Sequence, residues 1–203
     1  MNAPVLEHGM AKVAAGVYLA AVAQPAAHFG TARLAGLRGL VVPDRAALRR
    51  VETAGDAYFA SAGAPFLTFL SLPSDAPLSA VSAKLLVAPL ASRVRGRSLK
   101  LIPLSFARAT PVTELRTGWA VLATRSRTAR VALADGETLT VRPDALVAWL
   151  GRPPTGFCPK LRIWDLLLLP RAPRNLSFSF HGPATVWFEG AAQPPRRPHG
   201  LRA

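Results

Sequence analysis

Cysteine is almost missing from this chain of 203 residues: Cys158 stands alone, so no disulfide can form within it. That is compatible with a reducing compartment, and the chain reads as cytoplasmic. Cys158 precedes Pro159 in an apolar run with no nearby base, and it reads as a packing residue rather than a nucleophile. Histidine is sparse as well. His8, His28, His181 and His199 are scattered, and none has another His or a carboxylate at ligand spacing, so no metal site or cofactor is expected. There is no G-x-S-x-G elbow, no P-loop and no G-x-G-x-x-G fingerprint. Acidic residues number only eleven. Asp135 and Glu137 lie close together, but across a tight turn where Asp favours the turn and Glu begins a strand. A catalytic carboxylate pair would need burial and a cleft, so the expectation is a protein that is not an enzyme. Long apolar runs are absent too. Val13 to Ala32 carries no charge, but Gln24, Pro25 and His28 interrupt it, making a poor membrane span. A signal peptide cleaved after Ala21-Val22-Ala23 is the alternative reading of that stretch, with Glu7 in the would-be basic region against it.

What is present is apolar material and positive charge. Half the residues are hydrophobic and 18% are charged, with a mean hydropathy of +0.24, which excludes a disordered polar chain. The most legible stretch is Asn175 to Gly190, NLSFSFHGPATVWFEG. Leu176, Phe178 and Phe180 alternate with Ser177, Ser179 and His181; Gly182-Pro183 breaks the run; Ala184 to Glu189 resumes it. This predicts a closing hairpin. From Pro111 onward short strands follow one another: Val112–Leu115, Trp119–Thr124, Val131–Leu133, Thr138–Val141, Leu146–Leu150 and Lys160–Leu169, with Asp135-Gly136 as a hairpin turn signal. Earlier, Leu37–Val42, Tyr58–Phe59, Phe66–Leu72, Val81–Leu90 and Ser98–Phe106 read as strands, and Arg45–Val51 as a helical turn or a short strand. The expected fold class is all-β: a β-sandwich, a barrel or a double-stranded β-helix.

Three regions are expected: 1–36, an apolar first strand or helix packed on the domain; 37–190, a β-sandwich, with repeated units as one reading of it; and 191–203, a disordered Pro/Arg-rich tail. Leu40-Val41-Val42-Pro43-Asp44 and Leu139-Thr140-Val141-Arg142-Pro143-Asp144 echo one another, either as a repeated strand pair or by chance.

The net charge of +14 favours acidic partners: nucleic acid or an anionic membrane surface. Arginine supplies most of it, and Ala-, Arg- and Pro-rich composition alone also produces such a balance. Two turn clusters are candidate anion-binding sites: Arg93, Arg95 and Arg97 around Gly96, and Arg125, Arg127 and Arg130 among Ser and Thr. Projecting from one edge of the sandwich, they would form a guanidinium surface suited to phosphates; otherwise they are two solvated loops. Trp149 and Trp187 are expected in the core rather than as stacking platforms for bases.

Two segments resemble a known family. Gly136-Glu137, Leu139, Val141 and Ala145-Leu146-Val147-Ala148-Trp149 are similar to its "GE-L-V-…-ALVAF" element. His181-Gly182-Pro183-Ala184-Thr185-Val186-Trp187 is similar to its C-terminal "GPGTVW" element, with Ala184 where the pattern usually has Gly. This is the altered-inheritance-of-mitochondria protein 24 family, matched over roughly residues 112–190. The resemblance implies a fold of the trp RNA-binding attenuation protein-like type, built from repeated β-sandwich units and often assembled into homo-oligomers. It implies structural rather than catalytic roles for Gly136, Glu137, Gly182, Pro183, Thr185 and Trp187. Mitochondrial members of that family are associated with inner-membrane organisation. No activity is established for it.

Overall fold

The computed structural model describes residues 2–20, 25–35, 48–72, 76–90, 94–99, 110–157 and 177–190. The predicted strands Leu37–Val42 and Lys160–Leu169, most of Ser98–Phe106, Cys158, Arg93, the first half of the internal echo and the tail 191–203 lie outside the described residues.

Those described form strands and a single 3-10 turn, with no α-helix among them. In chain order the strands are β1 (Val5–Glu7), β2 (Met10–Val13), β3 (Gly16–Ala20), β4 (Ala27–His28), β5 (Ala32–Ala35), β6 (Arg49–Thr53) and β7 (Ala57–Phe59). They continue with β8 (Phe66–Leu72), β9 (Leu78–Val81), β10 (Leu85–Pro89), β11 (Val94–Leu99), β12 (Thr110–Leu115) and β13 (Gly118–Thr124). The last are β14 (Thr128–Leu133), β15 (Thr138–Val141), β16 (Leu146–Gly151), β17 (Thr155–Phe157), β18 (Ser177–His181) and β19 (Ala184–Glu189). The all-β sandwich expected from the sequence is the fold observed.

Four antiparallel sheets result, ordered β1-β2-β7-β4, β5-β6-β3-β10-β13-β8, β11-β12-β9-β16-β19-β14 and β15-β18-β17. Their order hides a repeat: raising every strand number of the second sheet by six gives the third. The cause is a ribbon of two antiparallel strands that bends over a corner, placing its halves in successive sheets. β2–β3 pairs with β6–β7 in this way, β8–β9 with β12–β13, and β14–β15 with β18–β19. Each of the two large sheets joins the second half of one unit to the first half of the next, through β3–β10 and β9–β16.

The sheets stack, and each gap between them holds one apolar cluster. Val13 and Phe59 of the first sheet meet Tyr18, Val51, Trp119 and Val121 of the second. Leu70, Leu85 and Leu122 of the second meet Leu78, Leu115 and Trp187 of the third. Val81, Leu146, Trp149 and Val186 of the third meet Val141, Phe178 and Phe180 of the fourth. The two large sheets are thus buried on both faces. That is why β10 and β16 read as near-continuous apolar runs, and why every residue of β13 after Gly118 is buried. Burying each such Leu, Val or Phe contributes about 1.5–3 kcal/mol. Tyr18 carries a hydroxyl into this core, where it donates to the Ala14 carbonyl at 2.7 Å. Burial, with a smaller contribution from the Asp56 carboxylate, pushes its phenol above the usual value.

Three local readings of the sequence are corrected. Asn175–Gly190 is not a hairpin: β18 pairs with β15 and β17, and β19 with β14 and β16, so Gly182-Pro183 is a corner between two sheets. Asp135-Gly136 is the matching corner on the neighbouring strand rather than a hairpin turn. Val81–Leu90 is not one strand, because a 3-10 turn at Ser82–Lys84 separates β9 from β10 and sends them to different sheets. Ser82 is buried there, its hydroxyl 2.8 Å from that of Thr113.

Candidate functional site: the free edges of the two large sheets

The second and third sheets end side by side at β8 and β14, each paired on one side only among the described residues. Thr68 Oγ1 donates to Thr128 Oγ1 across the gap at 3.2 Å. Beside this contact runs an open groove of about 720 Å³, with Phe69, Leu70, Leu72, Leu150 and Trp187 as its apolar lining and Thr68, Ser71, Thr128 and Arg130 as its polar one. Arg130 stands opposite Trp187 in the β14–β19 register, and its guanidinium lies 5.7 Å from the indole centroid. At an exposed site such a cation–π contact contributes about 0.5–1 kcal/mol. Trp187 and Trp149 are both buried, in keeping with the core placement expected of them.

The turn before β14 is firmly anchored. The Arg125 amide donates to Glu189 Oε2 at 3.3 Å, and Ser126 Oγ donates to the Gly190 carbonyl at 2.8 Å. The Gly190 amide donates to the Arg127 carbonyl at 3.2 Å. Lys84 forms an ion pair with the other oxygen of Glu189, largely out of solvent. Arg125 and Arg127 are exposed on this turn, whereas Arg130 lies within β14.

The second arginine cluster is elsewhere. Val94–Leu99 is a strand, not a turn: Gly96 pairs with Thr113, and Arg95 and Arg97 stand opposite Glu114 and Val112 of β12. β11 and β14 are the two outer strands of the same six-stranded sheet. At about 4.8 Å per strand they are about 24 Å apart. Arg95 and Arg97 therefore do not share an edge with Arg125, Arg127 and Arg130, and Arg93 lies outside the described residues.

Four of the six residues singled out by family resemblance, Gly136, Glu137, Gly182 and Pro183, come together at one double corner. Gly136, at φ +82°, closes one corner. Glu137 Oε2 accepts from the Ala134 amide at 2.7 Å, so its carboxylate is committed to the turn. The Gly182 amide donates to the Glu137 carbonyl at 2.9 Å, locking the second corner onto the first. Pro183 completes that corner, and Thr185 and Trp187 follow in β19, opposite Ala132 and Arg130. His181 Nδ1 lies 3.1 Å from Thr138 Oγ1, and His28 Nδ1 lies 3.0 Å from the Gly30 carbonyl. Among the described residues no group of three His, Cys, Asp or Glu is placed to hold a metal ion.

Sequence reasoning missed β8 as a surface. Phe66 and Phe69 are 40% and 38% exposed on it, and Ala57 to Leu72 contains no charged residue. That lack of charge was the available signal.

No family model and no curated protein matches the chain. Among solved structures it is similar to a Streptococcus pyogenes protein determined by X-ray crystallography. The TM-score is 0.66 at 14% identity, over 90% of this chain and 87% of that one. At that identity the likeness is one of fold. No helix among the described residues is long and apolar enough to cross a membrane.

Proposed function

We propose that this protein is a non-enzymatic β-sandwich component of an assembly, acting as a homo-oligomer in the cytoplasm. The observation that carries this reading is β8: a seven-residue outer strand, uncharged, with two exposed phenylalanines. Unpaired amide and carbonyl groups on an apolar edge are a template for another strand, and exposed apolar patches mark interaction sites. The resemblance to the altered-inheritance-of-mitochondria protein 24 family, with its trp RNA-binding attenuation protein-like fold, points the same way. It is supported by the meeting of Gly136, Glu137, Gly182 and Pro183 at one double corner. Light scattering at micromolar concentration and moderate salt tests the reading: a multimer is expected, and a clean monomer overturns it.

A second reading, favoured by the anchored turn that presents Arg125 and Arg127 next to Arg130 of β14, is generic phosphate binding by these three arginines. Nucleic acid and anionic membrane surfaces are its two ligand sources. It calls for contacts to phosphates with little choice of sequence.

A further inference from the structure

The repeated topology makes β2, β8 and β14 equivalent strands, each beginning the first half of a bent ribbon. Their outer edges are treated differently. The edge of β2 is covered by β1, through Val5–Lys12, Leu6–Ala11 and Glu7–Met10. The edge of β14 is open but carries Arg130. β8 alone is both uncovered among the described residues and free of charge. Two copies of a chain bearing a net charge of +14 repel one another over most approaches. An uncharged edge is where that repulsion is least and where apolar burial and backbone pairing offset it.

The strand is also self-complementary. In an antiparallel register centred on Phe69, Phe69 faces its own copy, Thr68 faces Leu70 and Phe66 faces Leu72. Directly opposed residues of an antiparallel pair project to the same face. Leu70 and Leu72 line the groove beside β14 and are themselves largely buried, so the partner's Phe66, 40% exposed in the single chain, would come to rest at that groove and lose its exposure. Phe69, which alternates with them along the strand, would stack on its copy across the axis. We propose that two copies pair along β8 about a two-fold axis at Phe69, joining their second sheets into one continuous sheet. This rests on the self-association reading above and names its surface.

The test is a charge swap at the axis, with Phe69→Lys and Phe69→Glu prepared separately and mixed. Phe69 is well exposed, so both variants should keep the wild-type far-UV spectrum. In light scattering the wild type should have at least twice the mass of the 21.5 kDa chain. Each variant alone should fall to half the wild-type mass, because like charges then oppose each other across the axis. The equimolar mixture should return to the wild-type mass. That recovery also shows that neither variant has lost its fold. A wild-type monomer would overturn the self-association reading and this pairing with it. A wild-type multimer whose mass survives in both single variants would overturn only the pairing along β8.

Discussion

Replacing Gly182 and Gly136 by alanine, one at a time, separates steric from conformational demands at the same double corner. A Cβ on Gly182 would lie 1.7 Å from the Ala134 carbonyl oxygen, 2.6 Å from its carbon and 3.1 Å from the Leu133 oxygen. Carbon–oxygen contacts are ordinarily about 3.3–3.6 Å. Every atom in the way is backbone, so the two corners must separate. Separation stretches the 2.9 Å bond from the Gly182 amide to the Glu137 carbonyl and disturbs the adjacent pairs Leu133–Ala184 and Thr138–His181. Overpacking costs about 1–3 kcal/mol and the lost hydrogen bond about 1 kcal/mol, so Gly182→Ala should destabilise by about 2–4 kcal/mol in total. Gly136 has φ +82° and nothing within 4 Å of an added Cβ. Its replacement meets only the left-handed penalty of about 1–2 kcal/mol. The reduced freedom of the unfolded chain is common to both variants and cancels in the comparison. In urea unfolding followed by far-UV circular dichroism, both midpoints should fall, with that of Gly182→Ala lower by about 0.3–2 M at the usual slopes. Equal midpoints, or a lower one for Gly136→Ala, would refute the close approach of the two corners.

Tyr18→Phe should cost about 1 kcal/mol at neutral pH through loss of the bond to Ala14. It should also remove an alkaline dependence. With the folded phenol above its ordinary value of 10.0, wild-type stability is full below that pH and falls as pH rises from there towards the raised value; equal slopes in wild type and variant above pH 10 would contradict this. Lys84→Met should cost about 1–3 kcal/mol by leaving the Glu189 carboxylate without its cation. Adding Glu189→Gln should recover part of that loss, as a double-mutant cycle in urea would read. If the protein binds nucleic acid, replacing Arg125, Arg127 and Arg130 by Ala should shallow the slope of log affinity against log salt by up to about three units. An unchanged slope would remove those residues from the interface.

The strands were legible because their signal is local. Phe66–Leu72 and Thr138–Val141 have the bounds that alternation and turn residues suggest. Pairing was not legible, because it is decided far along the chain. Gly182-Pro183 and Asp135-Gly136 are turn-forming pairs, and period-two alternation on both sides is the same whether the chain doubles back on itself or crosses to another sheet. What makes each a corner is the other: Thr138 pairs with His181, and Leu133 with Ala184. The break at Ser82–Lys84 carries neither Gly nor Pro, so nothing local marked it. Gly96 suggested a turn, yet β12 recruits it as a strand residue opposite Thr113. The arginines were visible as two clusters. Their placement at opposite edges depends on strand order, which no residue pattern within either cluster encodes. Repeated units were expected, but not their bounds, because strand order recurs while residues do not: β8 is FLTFLSL where β14 is TARVAL.

Because each unit spreads its bent ribbon over two sheets, the architecture counts differently from a row of beads. One unit alone offers two half-sheets and completes neither. Two units complete one sheet between flanking halves. Three units, the number among the described residues, are the fewest that place two complete sheets against each other, and the gap between them holds Leu70, Leu78, Leu85, Leu115, Leu122 and Trp187. Among the described residues β15 is paired on one side only, so growth by duplication is open at that end. There, an added unit's counterpart of β10 and β16 would find the edge that β3 and β9 already offer to theirs. Shortening is not equivalent: removing the middle unit takes half of each central sheet with it, so the chain lengthens by links but cannot be divided into them.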